Sequence, residues 1–104
     1  MILVVDVGNT NITFGVYDGE KLLTTFRMTT KIPRTSDEYG IMIREMLSGN
    51  QIDVEDIQGS IIASVVPNVM HALENALSHY INSKPLIIGP GTKTGIRIDT
   101  ENKR

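Results

Sequence analysis

Hydrophobic and polar positions divide the chain into seven segments, and the first is the most apolar. Residues 2–7 (ILVVDV) are rich in β-branched side chains and are broken only by Asp6, the pattern of a central strand covered on both faces. Residues 12–17 (ITFGVY) make a second strand that runs into Asp18-Gly19, a short hairpin-turn signal. Residues 21–29 (KLLTTFRMT) alternate loosely and make a third. The period then changes. Tyr39, Met42, Ile43, Met46 and Leu47 recur at helical spacing. Thr35 and Glu38 ahead of them have capping-box spacing, and Gly49 is placed to stop the helix. Residues 57–66 (IQGSIIASVV) read as a fourth, buried strand. Pro67 suits the first turn of a second helix, whose apolar stripe is Val69, Leu73, Ala76, Leu77 and Tyr80. A fifth strand, Leu86 to Ile88, leads into the glycine-rich loop GPGTKTG at 89–95.

The order is therefore β-β-β-α-β-α-β. Three antiparallel strands followed by βαβα crossovers build an α/β fold, a mixed sheet with helices packed on it. That is the order of a ribonuclease H-like half-domain of the actin-like ATPase superfamily. With 104 residues and no repeat or linker, the chain is expected to be one such unit. Net charge is −2 and the only terminal basic cluster is Lys103-Arg104, so the positive face that a nucleic-acid partner needs is not expected. The chain has no cysteine, which removes disulfides, thiolate nucleophiles and cysteine-ligated zinc. No apolar run reaches the length of a bilayer span, and Met1 leads into a strand without the charged start of a signal peptide. A cytoplasmic protein with no membrane partner is the expectation.

Candidate chemistry sits at the first hairpin, DVGNTNIT at 6–13. Gly8 allows close backbone approach, and small residues at a hairpin tip let several N–H groups converge on an anion. Thr10, Asn11 and Thr13 add hydroxyl and amide donors. Asp6 would repel phosphate directly, but a carboxylate there suits a hydrated Mg²⁺ that bridges phosphates. The stretch is either a nucleotide-phosphate site of the hairpin kind or a plain turn with an acid at its base. From these residues alone both readings stand.

Four stretches carry a resemblance across the chain: DVGNTNITFGVYDG from Asp6, RTSDEYG at 34–40, ASVVPNV at 63–69 and GPGTKTGIRIDTEN at 89–102. In this order they resemble the type III pantothenate kinases, which catalyse the first step of coenzyme A synthesis. The resemblance implies that Asp6, Val7, Gly8, Asn9, Thr10, Asn11, Ile12 and Thr13 form the ATP-binding hairpin, with Asp6 near the metal. It implies that Gly91, Thr94, Gly95 and Thr100 shape the pantothenate end of the cleft. ATP, Mg²⁺ and a monovalent cation (K⁺ or NH₄⁺) are the implied cofactors, and a homodimer is the implied assembly.

The chain also departs from the family pattern. Members are more than twice as long, and their cleft lies between two half-domains. A Gly-x-Asp-Arg motif, supplying the base and a pantothenate-binding arginine, falls beyond Arg104, and Asp99 does not replace it. Many members have tyrosine where Thr100 stands and proline where Lys103 stands. The expectation is an N-terminal half, inactive alone, whose exposed docking surface favours self-association. Two alternatives fit the same hairpin: another actin-like small-molecule kinase or phosphatase, and a regulatory binding module of the transcriptional accessory type. Other polar residues have structural readings. His71 and His79 stand eight apart, roughly 80° around a helix, as surface histidines. Asp53, Glu55 and Asp56 read as a solvated loop. Arg34, Asp37 and Glu38 read as a capping and ion-pair set, or as substrate or dimer surface.

Overall fold

Alternation along the first strand decides the layering. The computed structural model describes residues 1–64 and 67–88. Its strands β1 (Ile2–Val7), β2 (Asn11–Asp18), β3 (Lys21–Thr29), β4 (Gly59–Ser64) and β5 (Leu86–Ile88) form one sheet in the order β3-β2-β1-β4-β5. β1 pairs antiparallel with β2 and parallel with β4, so the mixed sheet expected from the sequence is present. Leu3, Val5 and Val7 are fully buried on one face. Ile2 and Val4 on the other are only half-buried, because no described element lies over them. The cover expected on both faces of β1 is thus found on one.

Helices α1 (Ser36–Gly49) and α2 (Pro67–Ala76) supply that cover. From α1, Tyr39, Ile43 and Leu47 are buried, and Met42 and Met46 pack beside them. From α2 and the turn after it, Leu73, Ala76, Leu77 and Ile81 close the core. The start of α1 is fixed by its capping box: the Glu38 N–H donates to Thr35 Oγ1 at 3.1 Å, and Thr35 N–H donates to Glu38 Oε1 at 2.8 Å.

Its end differs from expectation. Gly49 is the last helical residue, and the left-handed residue is Gln51, with φ 63°. Asn50 does the stopping: its side-chain amide donates to the Met46 carbonyl at 2.7 Å, and its Oδ1 accepts from Thr24 Oγ1 at 2.9 Å. The Met46 carbonyl thus accepts from both the backbone N–H of Asn50, at 3.2 Å, and its side chain, which ties the helix end without a glycine at the turn. α2 begins at Pro67 as expected and runs into one wide π turn, residues 77–81, closed by Asn82 in the left-handed conformation. β4 begins at Gly59, two residues into its apolar run, because residues 54–56 coil into a 3₁₀ turn capped by Asp53; residues 65 and 66 of that run lie outside the described residues. Glu55 and Asp56 are exposed there, as are His71 and His79 on their helical surface.

The two helices touch through a glycine. A Cβ on Gly40 would overlap Cγ and Cδ1 of Tyr80 and come within 2.9 Å of its Cβ. The Tyr80 hydroxyl donates to Asp37 Oδ1 at 2.6 Å, and Arg44 donates to the Tyr80 carbonyl at 3.0 Å. Asp37 is thus engaged by a phenol, while Arg34 turns to the Thr29 carbonyl at 2.7 Å and lies 5.8 Å above the Tyr39 ring. Glu38 thus works in capping, Asp37 in the contact of α1 with the turn after α2, and Arg34 links the end of β3 to α1.

Two outcomes are expected. Gly40→Ala lowers the urea midpoint, since an overlap costing about 1–3 kcal/mol exceeds the gain in helix propensity of at most about 1 kcal/mol. Gly49→Ala, with nothing within 4 Å of the added Cβ, leaves the midpoint unchanged or raises it. The hydrogen bond to Asp37, with burial and the Asp37 charge behind it, holds the Tyr80 phenol above the ordinary tyrosine range. The fold favours the neutral phenol, so this stabilisation is present below pH ~10 and is lost as pH rises through the raised value. An absorbance titration of wild type minus Tyr80→Phe isolates that phenol, and Asp37→Asn returns it toward its ordinary value.

Candidate functional site

The first hairpin is anchored by two side chains and leaves the rest outward. Val7 and Ile12 are buried in the core, while Asp6, Asn9, Thr10, Asn11 and Thr13 are exposed and Gly8 is half-buried. This follows from the strand period of two, which sends alternate residues to opposite faces. Asp6 and Thr13 are direct partners in the antiparallel ladder, so both stand on the open face of the sheet. The same cross-strand row continues through Ala63 on β4 and Arg27 on β3. Arg27 lies two strands from Asp6, roughly 10 Å away at ordinary strand spacing, and is exposed.

The turn itself spans Gly8 to Asn11. Gly8 N–H donates to the Asn11 carbonyl at 3.0 Å, which closes it. A Cβ at Gly8 would approach that same carbonyl to 3.2 Å, so the close approach explains the glycine. The N–H groups of Asn9 and Thr10 have no acceptor among the described residues. Adjacent N–H groups left unengaged at an exposed turn are what an anion can accept from.

Loops from several elements meet at this edge. β1, β3 and β4 run parallel to one another and end there, and β5, parallel to β4, ends there at Ile88. Open α/β sheets take ligands in the crevice beyond the carboxyl ends of their strands. A groove of about 410 Å³ opens here between residues 30–34 and the first turns of α2, with Tyr39, Val69 and Ala72 on its wall. Exposed Lys31 and half-buried Arg34 line it, so the described part of this edge carries cations as well as the Asp6 carboxylate. No cluster of three metal-ligating side chains exists among the described residues. The exposed Asp6 carboxylate is of the type that fits Mg²⁺, which keeps its waters and takes few protein ligands.

Gly91, Thr94, Gly95 and Thr100, expected at the substrate end, lie outside the described residues. Sequence reading missed two residues of this edge, Arg27 and Thr30. Arg27 joins the Asp6 row only through the β2–β3 register. Thr30, just past β3, donates its N–H to the Thr10 carbonyl and its hydroxyl to the Gly8 carbonyl, both at 2.9 Å. The spacing along the chain signals neither contact.

Comparison with known proteins bears on the family and the fold. A family model described as type III pantothenate kinase matches residues 2–104. A type III pantothenate kinase of Agathobacter rectalis is 57% identical over 102 residues, 98% of this chain and 39% of the relative. One from Listeria welshimeri is 53% identical over 104 residues, 100% of this chain and 40% of the relative. The chain therefore spans about 40% of the length of these relatives. Among solved structures, the ROK hexokinase of Thermus thermophilus superposes with a TM-score of 0.63 at 14% identity, covering 85% of this chain and 33% of the hexokinase. A Bacteroides thetaiotaomicron protein with an actin-like ATPase fold gives 0.60 at 11% identity, covering 88% and 34%. At such identities the likeness shows the fold, and the actin-like half-domain expected from the element order is the fold observed.

Core and surface roles within the hairpin separate by stability. Ile12→Ala is expected to cost about 2–5 kcal/mol in chemical denaturation, and Asn9→Ala to stay within about 0.5 kcal/mol of wild type.

Proposed function

The chain belongs to the type III pantothenate kinase family, and from that premise we propose that it is the N-terminal half-domain of an enzyme that phosphorylates pantothenate to 4'-phosphopantothenate with ATP. The observation that carries the reading is the pairing of Asp6 with Thr13 on the open face, beside a turn whose Asn9 and Thr10 N–H groups lack acceptors among the described residues. In this reading residues 6–13 receive the phosphates of ATP. Backbone N–H groups of the turn and the hydroxyls of Thr10 and Thr13 donate to phosphate oxygens, and the buried Val7 and Ile12 keep the loop in place. Phosphoryl transfer depends on such positioning and on charge stabilisation more than on covalent chemistry by the protein.

Asp6 is the residue that would hold Mg²⁺, through water, and the ion would neutralise charge on the phosphates. The exposed cations Arg27 and Lys31 add positive potential along the approach to the same edge. Gly91, Thr94, Gly95 and Thr100 would contribute to the pantothenate end. The base for the pantothenate hydroxyl and the monovalent-cation ligands (K⁺ or NH₄⁺) would belong to the part of the relatives that this chain does not span. The full enzyme is a cytoplasmic homodimer on this reading. No helix among the described residues is long and apolar enough to cross a membrane.

A coupled assay of ADP release by the full-length enzyme that carries this chain tests the proposal. ADP release is expected to require pantothenate, and Asp6→Asn is expected to lower kcat/KM on the order of 10²-fold, the size of losing one preorganised electrostatic partner. Turnover with hexose or acetate in place of pantothenate, or an unchanged rate in Asp6→Asn, would overturn it.

A further inference from the structure

We infer that Thr30 is a positioning residue for the phosphate turn, acting on ATP through the peptide groups of residues 8–11; the inference rests on the hairpin reading above. A single residue beyond β3 binds the turn twice. Its N–H donates to the Thr10 carbonyl and its hydroxyl to the Gly8 carbonyl, each at 2.9 Å. In a trans peptide the C=O and the following N–H point in opposite directions. Holding the Gly8 carbonyl toward Thr30 therefore aims the Asn9 N–H away from it, and holding the Thr10 carbonyl does the same for the Asn11 N–H.

The hydroxyl bond stands in for a ladder bond. In a tightly closed two-residue hairpin the two flanking residues exchange both N–H···O=C bonds. Here Gly8 N–H reaches the Asn11 carbonyl at 3.0 Å, but the return bond from Asn11 N–H to the Gly8 carbonyl is missing among the described residues. Thr30 Oγ1 takes that acceptor instead. The turn thus keeps a fixed shape while its own N–H groups stay available. Donors held in place before the ligand arrives are worth more than donors that must reorganise. Thr30 also lines the groove that holds Lys31 and Arg34, so the segment fixing the turn also carries the neighbouring cations.

The test is steady-state kinetics on the full-length enzyme. Thr30→Val keeps shape and the backbone N–H but removes the hydroxyl; Thr30→Ala removes it with less bulk; Thr30→Ser restores it. The expected result is a KM for ATP raised on the order of 10-fold in Thr30→Val and Thr30→Ala, a KM for pantothenate within about twofold, and recovery of the ATP value in Thr30→Ser. Unchanged ATP kinetics in both hydroxyl-free variants, with Asp6→Asn impaired, would overturn the role of Thr30 and leave the hairpin reading standing. If Asp6→Asn is unimpaired as well, the hairpin reading itself fails. Loss of folding in both hydroxyl-free variants, or equal loss for both substrates, would make Thr30 structural and would also overturn the inference.

Discussion

The burial of β1 at the centre of the sheet is the constraint on which the rest depends. Leu3, Val5 and Val7 are excluded from water, and burying three such side chains is worth several kcal/mol, at about 1.5–3 kcal/mol each. Because the strand period is two, a shift of one residue would send all three to the open face and Asp6 into the core. An unpaired carboxylate in the core is prohibitively costly. The position of Asp6 on the open face, at the end of the central strand, is therefore set by the packing of its neighbours. β1 also aligns the parallel β4, and the start of the sheet is tied at the same point: the N-terminal ammonium donates to the Asp56 carbonyl at 2.8 Å, and Gln58 N–H donates to the Met1 carbonyl at 2.8 Å.

Sheet and helices divide the labour between stability and chemistry. α1 and α2 cover one face and meet where Gly40 admits the Tyr80 ring. The buried polar groups on that side are satisfied locally, as with Ser60 and Ser83, whose hydroxyls lie 2.8 Å apart. The carboxyl ends of β1, β3 and β4 then present the turn, residues 30–34 and the start of α2 at one edge. Exposed polar residues at that edge contribute little to stability, which leaves them available for a ligand.

Much of this was legible in the chain itself. The β1 and β3 bounds, the start of α1 at Thr35, the start of α2 at Pro67 and the short β5 all followed from apolar period and capping chemistry. Those signals act over a few residues. Features that failed depend on contacts distant in sequence. The end of α1 turned on Asn50 reaching Met46 while accepting from Thr24 on another strand, so Gly49 misled. The turn after β2 falls at Gly19-Glu20, with Gly19 at φ 64°, one residue later than the Asp-Gly pair suggests. Residues 6–13 stood out as a candidate site through the small polar residues at a strand end together with the family resemblance, whereas Thr30 and Arg27 look ordinary in their own segment.

The sequence by itself determined the element order and the placement of an acid and a small polar turn at the end of the first strand, because apolar period and turn chemistry act over a few residues; which face of β1 is covered emerged only in the fold. Only the tertiary structure decided what stands beside that acid. Between Val16 and Tyr17 the β2–β3 register slips by one residue, leaving Leu23 unpaired. Continued without that bulge, the ladder would set Phe26 opposite Thr13 on the open face and Arg27 opposite the buried Ile12. With it, Phe26 stacks on Phe14 at 4.9 Å and Arg27 comes level with Thr13 and Asp6. The choice is made by packing a half-buried phenyl ring against the core and keeping a guanidinium in water, a comparison between faces that exists only once the sheet has formed.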